Sequence, residues 1–350
     1  MELKITNSPD IMQWSEFVHN HEHGSIFQTP EMAEVYKRTK NYEPITLAVL
    51  DTKNDEILAV LQAVVIKEIS GFLGTFSARS IIQGGPLFID GEKGIKALKI
   101  LMEYYDKIAQ KKALYTQIRN MWDMSNILSF FNNIGYEYEE HLNFLIDLNR
   151  PKEEIWRDIH KSRRKGINRA FNRGVVIEEV RDKKFIPIFY GIVKQTYKNA
   201  KLPLADISLM ESAFELLVPK NMATFYLAKY GDVYVGARAV LNYKGLIYDW
   251  YAGALSDYLS LYVNEALVWH ILKEGANNSF HTFNFGGAGK PNEPYGVREF
   301  KRRFGGKMVN FGRYMRIYSP IKMKIVEKGF EMYKKVSCTN NMRNKRECKK

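Results

Sequence analysis

The sequence predicts an α+β protein made of two tandem domains of similar build. Its 350 residues exceed the length of one typical domain, and 45% of them are hydrophobic, which is enough for two packed cores. Patterns of strands and helices alternate in two similar blocks, and Arg150-Pro151 separates the blocks. We therefore expect mixed sheets in an N-terminal domain over residues 1–150 and in a C-terminal domain over 151–320, followed by a basic helix or tail over 321–350.

The first block alternates helix and strand signals. The segment "SIFQTPEMAEVYKRTKN" predicts a helix with Thr29 as N-cap and Pro30 at its first position. The segments "PITLAVLD" and "EILAVLQAVVIKE" predict two strands around a turn at residues 53–55. An amphipathic helix is expected at "IKALKILMEYYDKIAQKKA", because its apolar residues recur three and four apart. A strand at "LYTQIRN", a short helix at "MSNILSFFNNIGYEYEE" and a strand at "NFLIDL" complete the block.

The second block opens with a basic helix. "PKEEIWRDIHKSRRKGINRAFNRG" predicts one helix that ends at the C-cap glycine Gly174. The strand "VVIEEV" and the helices "FIPIFYGIVKQTYKNA" and "MESAFELLV" follow. Three strands with hairpin turns at residues 231–232 and 244–245, the helix "LYVNEALVWHILKEGANN" and the strand "TFNF" complete it. No sustained heptads appear, so we expect no coiled-coil insertion.

Positive charge is concentrated in two segments of a chain whose net charge is +13. Over residues 157–173, seven basic residues against Asp158 give +6, and over 320–350 ten basic residues against three Glu give +7. Such segments favour a polyanionic partner, namely tRNA, a nucleotide-linked substrate or an anionic membrane surface. For the tail, a solvated polar segment is the favoured alternative.

Other features exclude several classes of protein. No apolar run approaches the roughly eighteen residues of a membrane span, and the N-terminus lacks the pattern of a signal peptide. Cys338 and Cys348 both lie in the polar tail, so we expect a reducing, cytoplasmic location, with peripheral contact at the inner face of the membrane as an option. Residues 19–23, "HNHEH", fit no common zinc pattern, and no Gly-x-Ser-x-Gly elbow is present, so neither a metal nor a covalent hydrolase is expected.

The glycine-rich stretch "FNFGGAGKPNEPYGVREFKRRFGG", residues 283–306, contains a segment similar to the end of a phosphate-binding P-loop. Its Gly289-Lys290 is followed by Pro291 instead of Ser or Thr, and Asn284 stands where the motif needs a glycine. The sequence therefore argues against an NTPase. Glycines and positive charge instead suit a wall that stabilises an oxyanion, because a glycine loop lets the backbone approach a reacting carbonyl.

Three stretches carry a resemblance to a known family. "IHKSRRKGINRAFNRGVVIEE", "GARAVLNYKGLIYDWYAGA" with "NEALVWHILKEGANNSFHTFNFGG", and "YGVREFKRRFGG" resemble the second domain of the FemABX family of peptidyltransferases. "FQTPEMAEVYK" is similar to that family's N-terminal segment, with Met32 where Trp is usual. The match covers about residues 20–320 and implies two tandem domains of the N-acetyltransferase (GNAT) fold.

The resemblance implies roles for residues of an acyl-transfer site. The backbone of Phe300 and the side chain of Lys301 are expected to stabilise the acyl carbonyl, the alternative being a core Phe and a solvated Lys. Lys37 falls at the family's nucleotide-diphosphate contact. Gly84 stands where the family has an acceptor-binding Arg, a change for which Arg79 can compensate, with a surface role for Arg79 as an equal alternative.

Further residues are candidates for substrate binding. Tyr295 and Arg298 belong to the same segment as Lys301. Asp249 and Tyr251, two apart on one strand, are expected on a common face that lines the acceptor cleft, with packing as the alternative.

The basic helix supplies candidates for binding donor phosphates, with a solvated helix face as the alternative: Lys161, Arg163, Arg164 and Arg169. Arginines suit bidentate phosphate contacts, either to a tRNA acceptor stem or to the diphosphate of a nucleotide or of coenzyme A. The usual coenzyme A loop is not matched, since the closest segment ends in Asn168.

The resulting expectation is an N-acyltransferase without a bound cofactor or an obligate protein partner. It would transfer an aminoacyl group from aminoacyl-tRNA to an amine of a nucleotide- or lipid-linked cell-wall or surface-polysaccharide precursor. The alternatives are an acyl-CoA-dependent acetyltransferase acting on an amino sugar and a non-catalytic RNA-binding protein. The last lacks recognisable RNA modules.

Overall fold

The structure is a computed structural model that describes residues 2–67 and 78–324. Its strands are β1 (Leu3–Thr6), β2 (Tyr42–Asp51), β3 (Ile57–Ile66), β4 (Arg79–Gln83), β5 (Leu87–Phe88), β6 (Tyr115–Arg119), β7 (Glu137–Glu139), β8 (Leu142–Asp147), β9 (Val175–Glu179), β10 (Ala223–Tyr230), β11 (Val233–Tyr243), β12 (Leu246–Ala254), β13 (Thr282–Gly287), β14 (Lys307–Asn310) and β15 (Arg313–Ile317).

Its helices are α1 (Ile11–Asn20), α2 (Pro30–Arg38), α3 (Gly91–Ala109), α4 (Leu128–Asn133), α5 (Lys152–Asp158), α6 (Lys161–Asn172), α7 (Ile186–Asn199), α8 (Ser208–Leu217), α9 (Val263–Asn277) and α10 (Gly296–Arg302). None of the helices in these ranges is long and apolar enough to cross a membrane. Most of the predicted basic tail, with both cysteines, lies outside the described residues.

The strands form two mixed sheets. The first sheet has the order β1-β2-β3-β4-β6-β15-β7, with β5 paired to β3, and the second has the order β14-β8-β13-β12-β11-β10-β9. Most neighbours are antiparallel, but β4 and β6 in the first sheet, and β12 and β13 in the second, run parallel. The prediction of an α+β fold with mixed sheets is confirmed.

The two sheets exchange strands. β8 precedes Arg150 in the chain but pairs with β13 and β14 of the second sheet. β15, close to the end of the described residues, returns to the first sheet between β6 and β7. The domain boundaries given above stay a prediction, and sheet membership does not follow them. The return of β15 brings a late part of the chain beside β6.

A local signal explains the start of α2. Thr29 caps α2, and its side chain accepts a hydrogen bond from the Met32 N–H at 3.2 Å. The prediction of one helix over residues 151–174 is wrong, because the chain breaks into α5 and α6 at an extended His160. The His160 N–H donates to the Arg303 carbonyl at 2.9 Å, which a continuous helix would not allow. The predicted C-cap, Gly174, has a φ of +90°.

A shared core fixes the two sheets relative to each other. Met32 and Ile81 from the first half of the chain pack in one buried cluster with Phe189 and Phe225 from the second half. Burial of each such side chain contributes about 1.5–3 kcal/mol. The sheets therefore form two fixed walls of the space between them.

Candidate active site

A central cleft lies between the two sheets. It consists of two lobes of about 620 and 610 Å³, which share Gln83, Arg119, Tyr197 and Tyr248 as lining residues. Each lobe has the volume of a typical small-molecule site. We call the lobe beside α2 and α8 the outer lobe and the lobe beside β13 the inner lobe.

The outer lobe combines cations with aromatic rings. Lys40, Lys67 and Arg79 line it together with Tyr36 and Tyr251. Arg79 and Tyr251 therefore line the cleft, and their roles in substrate binding stay a prediction. Burial raises the pKa of the Tyr251 hydroxyl well above its ordinary value, so this group stays neutral and can donate a hydrogen bond.

The inner lobe contains the glycine-rich segment. Gly287, Gly289 and Tyr295 line it opposite His141 and Arg313. Tyr295, which the sequence marks as substrate-binding, is 44% exposed in this lobe. Burial, followed by the charges of Arg313, Arg119, Lys301 and Lys290, lowers the pKa of His141 to about 3. This imidazole is therefore neutral at physiological pH.

Arg119 and Arg313 stand directly opposite each other on the neighbouring strands β6 and β15. Gln83 is the partner of Arg119 on the other side, on β4. Arg119 donates from Nε to Gln117 Oε1 at 2.9 Å, but neither arginine has a carboxylate within 4.0 Å in the part of the chain described. Burial lowers the pKa of both guanidinium groups, and that of Arg313, which is also lowered by Arg119, falls to about 10. Both remain charged near neutral pH.

Lys301 is buried instead of solvated, with 9% of its surface exposed. Its Nζ donates to the carbonyls of Phe285 at 2.6 Å and Gly287 at 2.8 Å. An ammonium has three N–H donors, so one remains beside the inner-lobe residue Gly287. Burial lowers the pKa of Lys301 to about 8, with a smaller lowering by Arg238, while Asp249 raises it.

The strands around Lys301 separate. β12 and β13 pair only over residues 246–248 and 282–284, although both strands continue further. The Lys301 ammonium binds β13 carbonyls just beyond this paired part. A cation in such a low-dielectric gap interacts strongly with negative charge that develops near it.

Phe300 supports this arrangement through its ring. The ring packs 5.2 Å from that of Phe304, and the Arg163 guanidinium lies 4.5 Å from its centre. Phe300 is the fifth residue of α10, so its N–H belongs to the internal hydrogen-bonding register of the helix. The expected oxyanion contact from this N–H is therefore not available in this conformation.

Asp249 does not line the cleft, contrary to expectation. A bulge between Ala239 and Val240 pairs them with Tyr251 and Asp249 and leaves Trp250 as an extra residue. The bulge breaks the strict alternation of faces. Trp250 and Tyr251 both line the outer lobe, while Asp249 accepts from Arg238 Nε at 2.9 Å and Nη2 at 3.2 Å.

Arg298 is engaged by its own loop and not by the cleft. It donates to the carbonyls of Ala288 and Pro291, both at 2.9 Å, and also to that of Lys290. Carbonyls, not N–H groups, thus face the centre of this loop, which agrees with the rejection of a P-loop. Arg298 holds the glycine-rich loop in place.

Lys37 also lies away from the cleft. Its side chain is 73% exposed on α2 and lies 3.9 Å from Glu34. Tyr36 and Lys40, on either side of it in sequence, line the outer lobe instead. Lys40, which follows the extended C-cap Thr39, therefore lies where the sequence led us to expect Lys37.

The four candidate phosphate-binding residues of the basic helix α6 differ in their exposure and in their partners. Arg163 forms an ion pair with Glu265 of α9 and covers Phe300, so its charge is already used. Lys161 is exposed, while Arg164 donates to the Arg157 carbonyl at 3.4 Å.

Arg169 donates to the Tyr262 hydroxyl at 3.3 Å, just before α9 begins. Donor-phosphate binding by Lys161, Arg164 and Arg169 stays a prediction.

Sequence reasoning missed Arg119, Arg313 and His141. Arg119 ends a strand that was predicted, but nothing local marks its face as the cleft side. Arg313 reaches the site only because β15 returns to the first sheet, and His141 is a single histidine at the start of β8.

Known proteins share this architecture. A family model described as an acetyltransferase (GNAT) domain matches residues 157–302. The structure is similar to that of FemX, with 16% sequence identity and a TM-score of 0.68, over 93% of this chain and 99% of that chain. It is also similar to L-PGS from Bacillus licheniformis, at 14% identity and a TM-score of 0.56, over 92% and 97% of the two chains.

A tandem GNAT protein from the clavulanic acid biosynthesis pathway is similar at 9% identity and a TM-score of 0.58, over 91% and 99% of the two chains. A search of curated proteins found no match by sequence. At these identities the structural likeness establishes the fold. The protein has the predicted fold of two tandem GNAT-like domains, similar to that of FemX along nearly its whole length.

Proposed function

We propose that the protein is an N-acyltransferase that forms an amide bond at the inner lobe of the central cleft. The observation that carries the proposal is the buried ammonium of Lys301, held 2.8 Å from the carbonyl of the cleft residue Gly287. The match of residues 157–302 to an acetyltransferase (GNAT) domain supports it. A non-catalytic RNA-binding protein would not need a partly satisfied lysine in a gap between strands.

The reaction assigns a clear task to Lys301. The amine of the acceptor attacks the acyl carbonyl carbon, a C–N bond forms, and negative charge develops on the carbonyl oxygen. When the C–O or C–S bond to the donor breaks, the proton lost by the amine is balanced by protonation of the leaving oxygen or sulfur. A fixed donor aimed at the developing oxyanion contributes about 10²–10³ in kcat.

The favoured donor is aminoacyl-tRNA. The exposed part of α6 offers Lys161, Lys165 and Arg169 beside the loop that leads into α9. A basic surface of this kind suits an RNA phosphate backbone. Two resemblances support aminoacyl transfer: the structural likeness to FemX and the sequence resemblance to the FemABX family.

An acyl-CoA donor is the second candidate. The matching family model is described as an acetyltransferase domain, and coenzyme A would bring its diphosphate to the same basic surface. For the acceptor, we propose an amine of a nucleotide- or lipid-linked sugar precursor of the cell wall or a surface polysaccharide. The cations of the outer lobe, Lys40, Lys67 and Arg79, suit its phosphates.

Transfer from charged tRNA and from acetyl-CoA to a set of amine acceptors, with mass detection of the amide, tests the proposal. Lys301→Met is expected to lower kcat about 10²–10³-fold. Lys307→Met, which removes an exposed lysine nearby, is the matched control. Because Lys301→Met leaves two carbonyls unpaired, its folding is checked by circular dichroism. A folded Lys301→Met enzyme with the wild-type rate would refute the proposal.

A further inference from the structure

The opposed arginines of the inner lobe differ from three other partly or fully buried arginines of this protein. Arg238 pairs with Asp249, Arg163 with Glu265 and Arg316 with Asp106. Arg119 and Arg313 occupy directly opposed positions in the sheet, and neither has an ion pair within 4.0 Å in the described ranges. Glu139, the neighbour of Arg313 on β7, attracts Arg313 from beyond that distance and lies 3.7 Å from Lys290 Nζ. Like charges at opposed positions destabilise a sheet, and partly buried charges are costly without a counter-ion.

The surroundings of the two arginines are arranged to receive an anion. Both line the inner lobe, and Gln83, the cross-strand neighbour of Arg119, lines it with them. Guanidinium groups bind phosphate and carboxylate through paired hydrogen bonds, and an amide can add another.

The pair lies next to the proposed reaction centre. A Cβ atom built on Gly287 would lie 3.3 Å from Arg313 Nη2 and 2.7 Å from His141 Nε2. The carbonyl of the same glycine accepts from Lys301 at 2.8 Å. Gly287 therefore lies between Arg313 and the Lys301 ammonium to which the proposed function assigns the developing oxyanion.

We infer that Arg119 and Arg313, with Gln83, form a subsite for one oxyanionic group, a phosphate or a carboxylate, of the acceptor. The statement that the bound molecule is the acceptor rests on the proposed function. It names the acceptor class as an amine that carries an anionic group a few bonds from the reacting nitrogen. Binding of that group compensates the two arginines and orients the amine toward Lys301.

His141 provides a direct readout of this subsite. The charges that face it are those of Arg313, Arg119, Lys301 and Lys290. An anion bound between the arginines is expected to raise the pKa of His141 by about 1–3. Nuclear magnetic resonance of histidine-labelled protein measures this pKa, with His141→Gln to assign the signal among seven histidines.

The titration uses inorganic pyrophosphate and N-acetylglycine at low salt, with wild type, Arg119→Gln, Arg313→Gln and the control Lys96→Gln, which removes an exposed charge on α3. One of the two probes is expected to raise the pKa of His141 and the melting temperature in wild type and Lys96→Gln only. Pyrophosphate acting alone identifies a phosphate subsite, and N-acetylglycine acting alone a carboxylate subsite. No response to either probe, or an equal response in both arginine variants, overturns the inference.

Stability without a ligand gives a second test. Arg119→Gln and Arg313→Gln relieve a repulsion, so they are expected to melt at or above the wild-type temperature. Arg316→Gln, on the same strand, breaks a buried pair with Asp106 and is expected to melt lower. If Arg313→Gln is as destabilised as Arg316→Gln, the pair is structural and the inference fails. These tests need no donor, so they stand apart from failure of the transfer assay.

Discussion

In the second sheet Arg238 is paired with Asp249 and Lys301 is held by two carbonyls. In the first sheet Arg119 and Arg313 face each other, and among the described residues no carboxylate lies within 4.0 Å of either guanidinium. The second sheet therefore carries its compensation within the chain. In the first sheet, Arg313 is attracted by Glu139 from beyond ion-pair distance, and neither of the two arginines forms an ion pair in the described ranges. The comparison teaches that the buried cations of the second sheet are compensated within the chain, whereas the arginine pair of the first sheet is compensated only in part by the described residues.

The largest expected effect comes from breaking the ion pair between Arg238 and Asp249 in the second sheet. Asp249→Ala leaves Arg238 buried and unpaired, because the two side chains are only 8% and 6% exposed. The free energy of unfolding is expected to fall by about 3–5 kcal/mol, as measured in urea. The double variant Arg238→Met/Asp249→Leu should recover most of that loss. Equal losses in the single and double variants would show that the charges are not coupled.

The next effect tests the packing of the basic helix on α9. A Cβ on Gly166 would lie 2.7 Å from the ring of Tyr262, so Gly166→Ala is expected to destabilise the fold by about 1–3 kcal/mol. Gly191→Ala in α7 meets nothing within 4 Å and should instead stabilise by about 0.5–1 kcal/mol. Thermal unfolding of both variants measures the contrast, and equal melting temperatures would contradict this packing.

A third prediction concerns how the free energy of unfolding depends on pH through His141, which lies beside Arg119 and Arg313. The pKa of His141 is about 3 in the folded protein and about 6.5 when unfolded, so the unfolded state binds the proton first as pH falls. His141 therefore makes no contribution above pH 6.5 and costs stability increasingly from about 6.5 down to about 3. His141→Gln should flatten that part of the curve of unfolding free energy against pH. An unchanged slope would contradict the account.

The smallest expected effect distinguishes Lys37 on α2 from Lys40, which follows the C-terminus of that helix. Lys40→Gln removes a cation from the outer lobe and is expected to raise KM for an anionic acceptor several-fold, while Lys37→Gln should leave KM unchanged. Steady-state kinetics of the two variants provides the measurement. A larger effect at Lys37 would restore the role that the sequence resemblance suggested.

Local features of the fold could be predicted because their causes are local. The Thr29-Pro30 start of α2 follows from helix capping. The sequence predicts the hairpin turn at Lys244-Gly245, and both residues have the positive φ that such a turn requires.

The break at His160 could not be predicted, since it depends on the distant Arg303 carbonyl. Long-range pairing, not local preference, decides such positions.

The candidate site shows the same division. Lys301 was found through a sequence motif, and its burial agrees with a role in chemistry. Asp249 was misplaced because one bulge reverses the expected face of the strand. The Arg119–Arg313 pair depends on a strand that returns from the end of the second block, so no spacing in the sequence marks it.

The pH dependence of kcat/KM for amide formation by the wild-type enzyme tests the central claim most directly. Burial lowers the pKa of Lys301 to about 8, and only the protonated amine can stabilise an oxyanion. The rate constant is therefore expected to fall as pH rises past about 8, and Lys301→Arg, whose charge persists, should lose that falling limb. A wild-type profile that stays flat between about pH 7 and 10 would contradict the assignment of Lys301 as the catalytic cation.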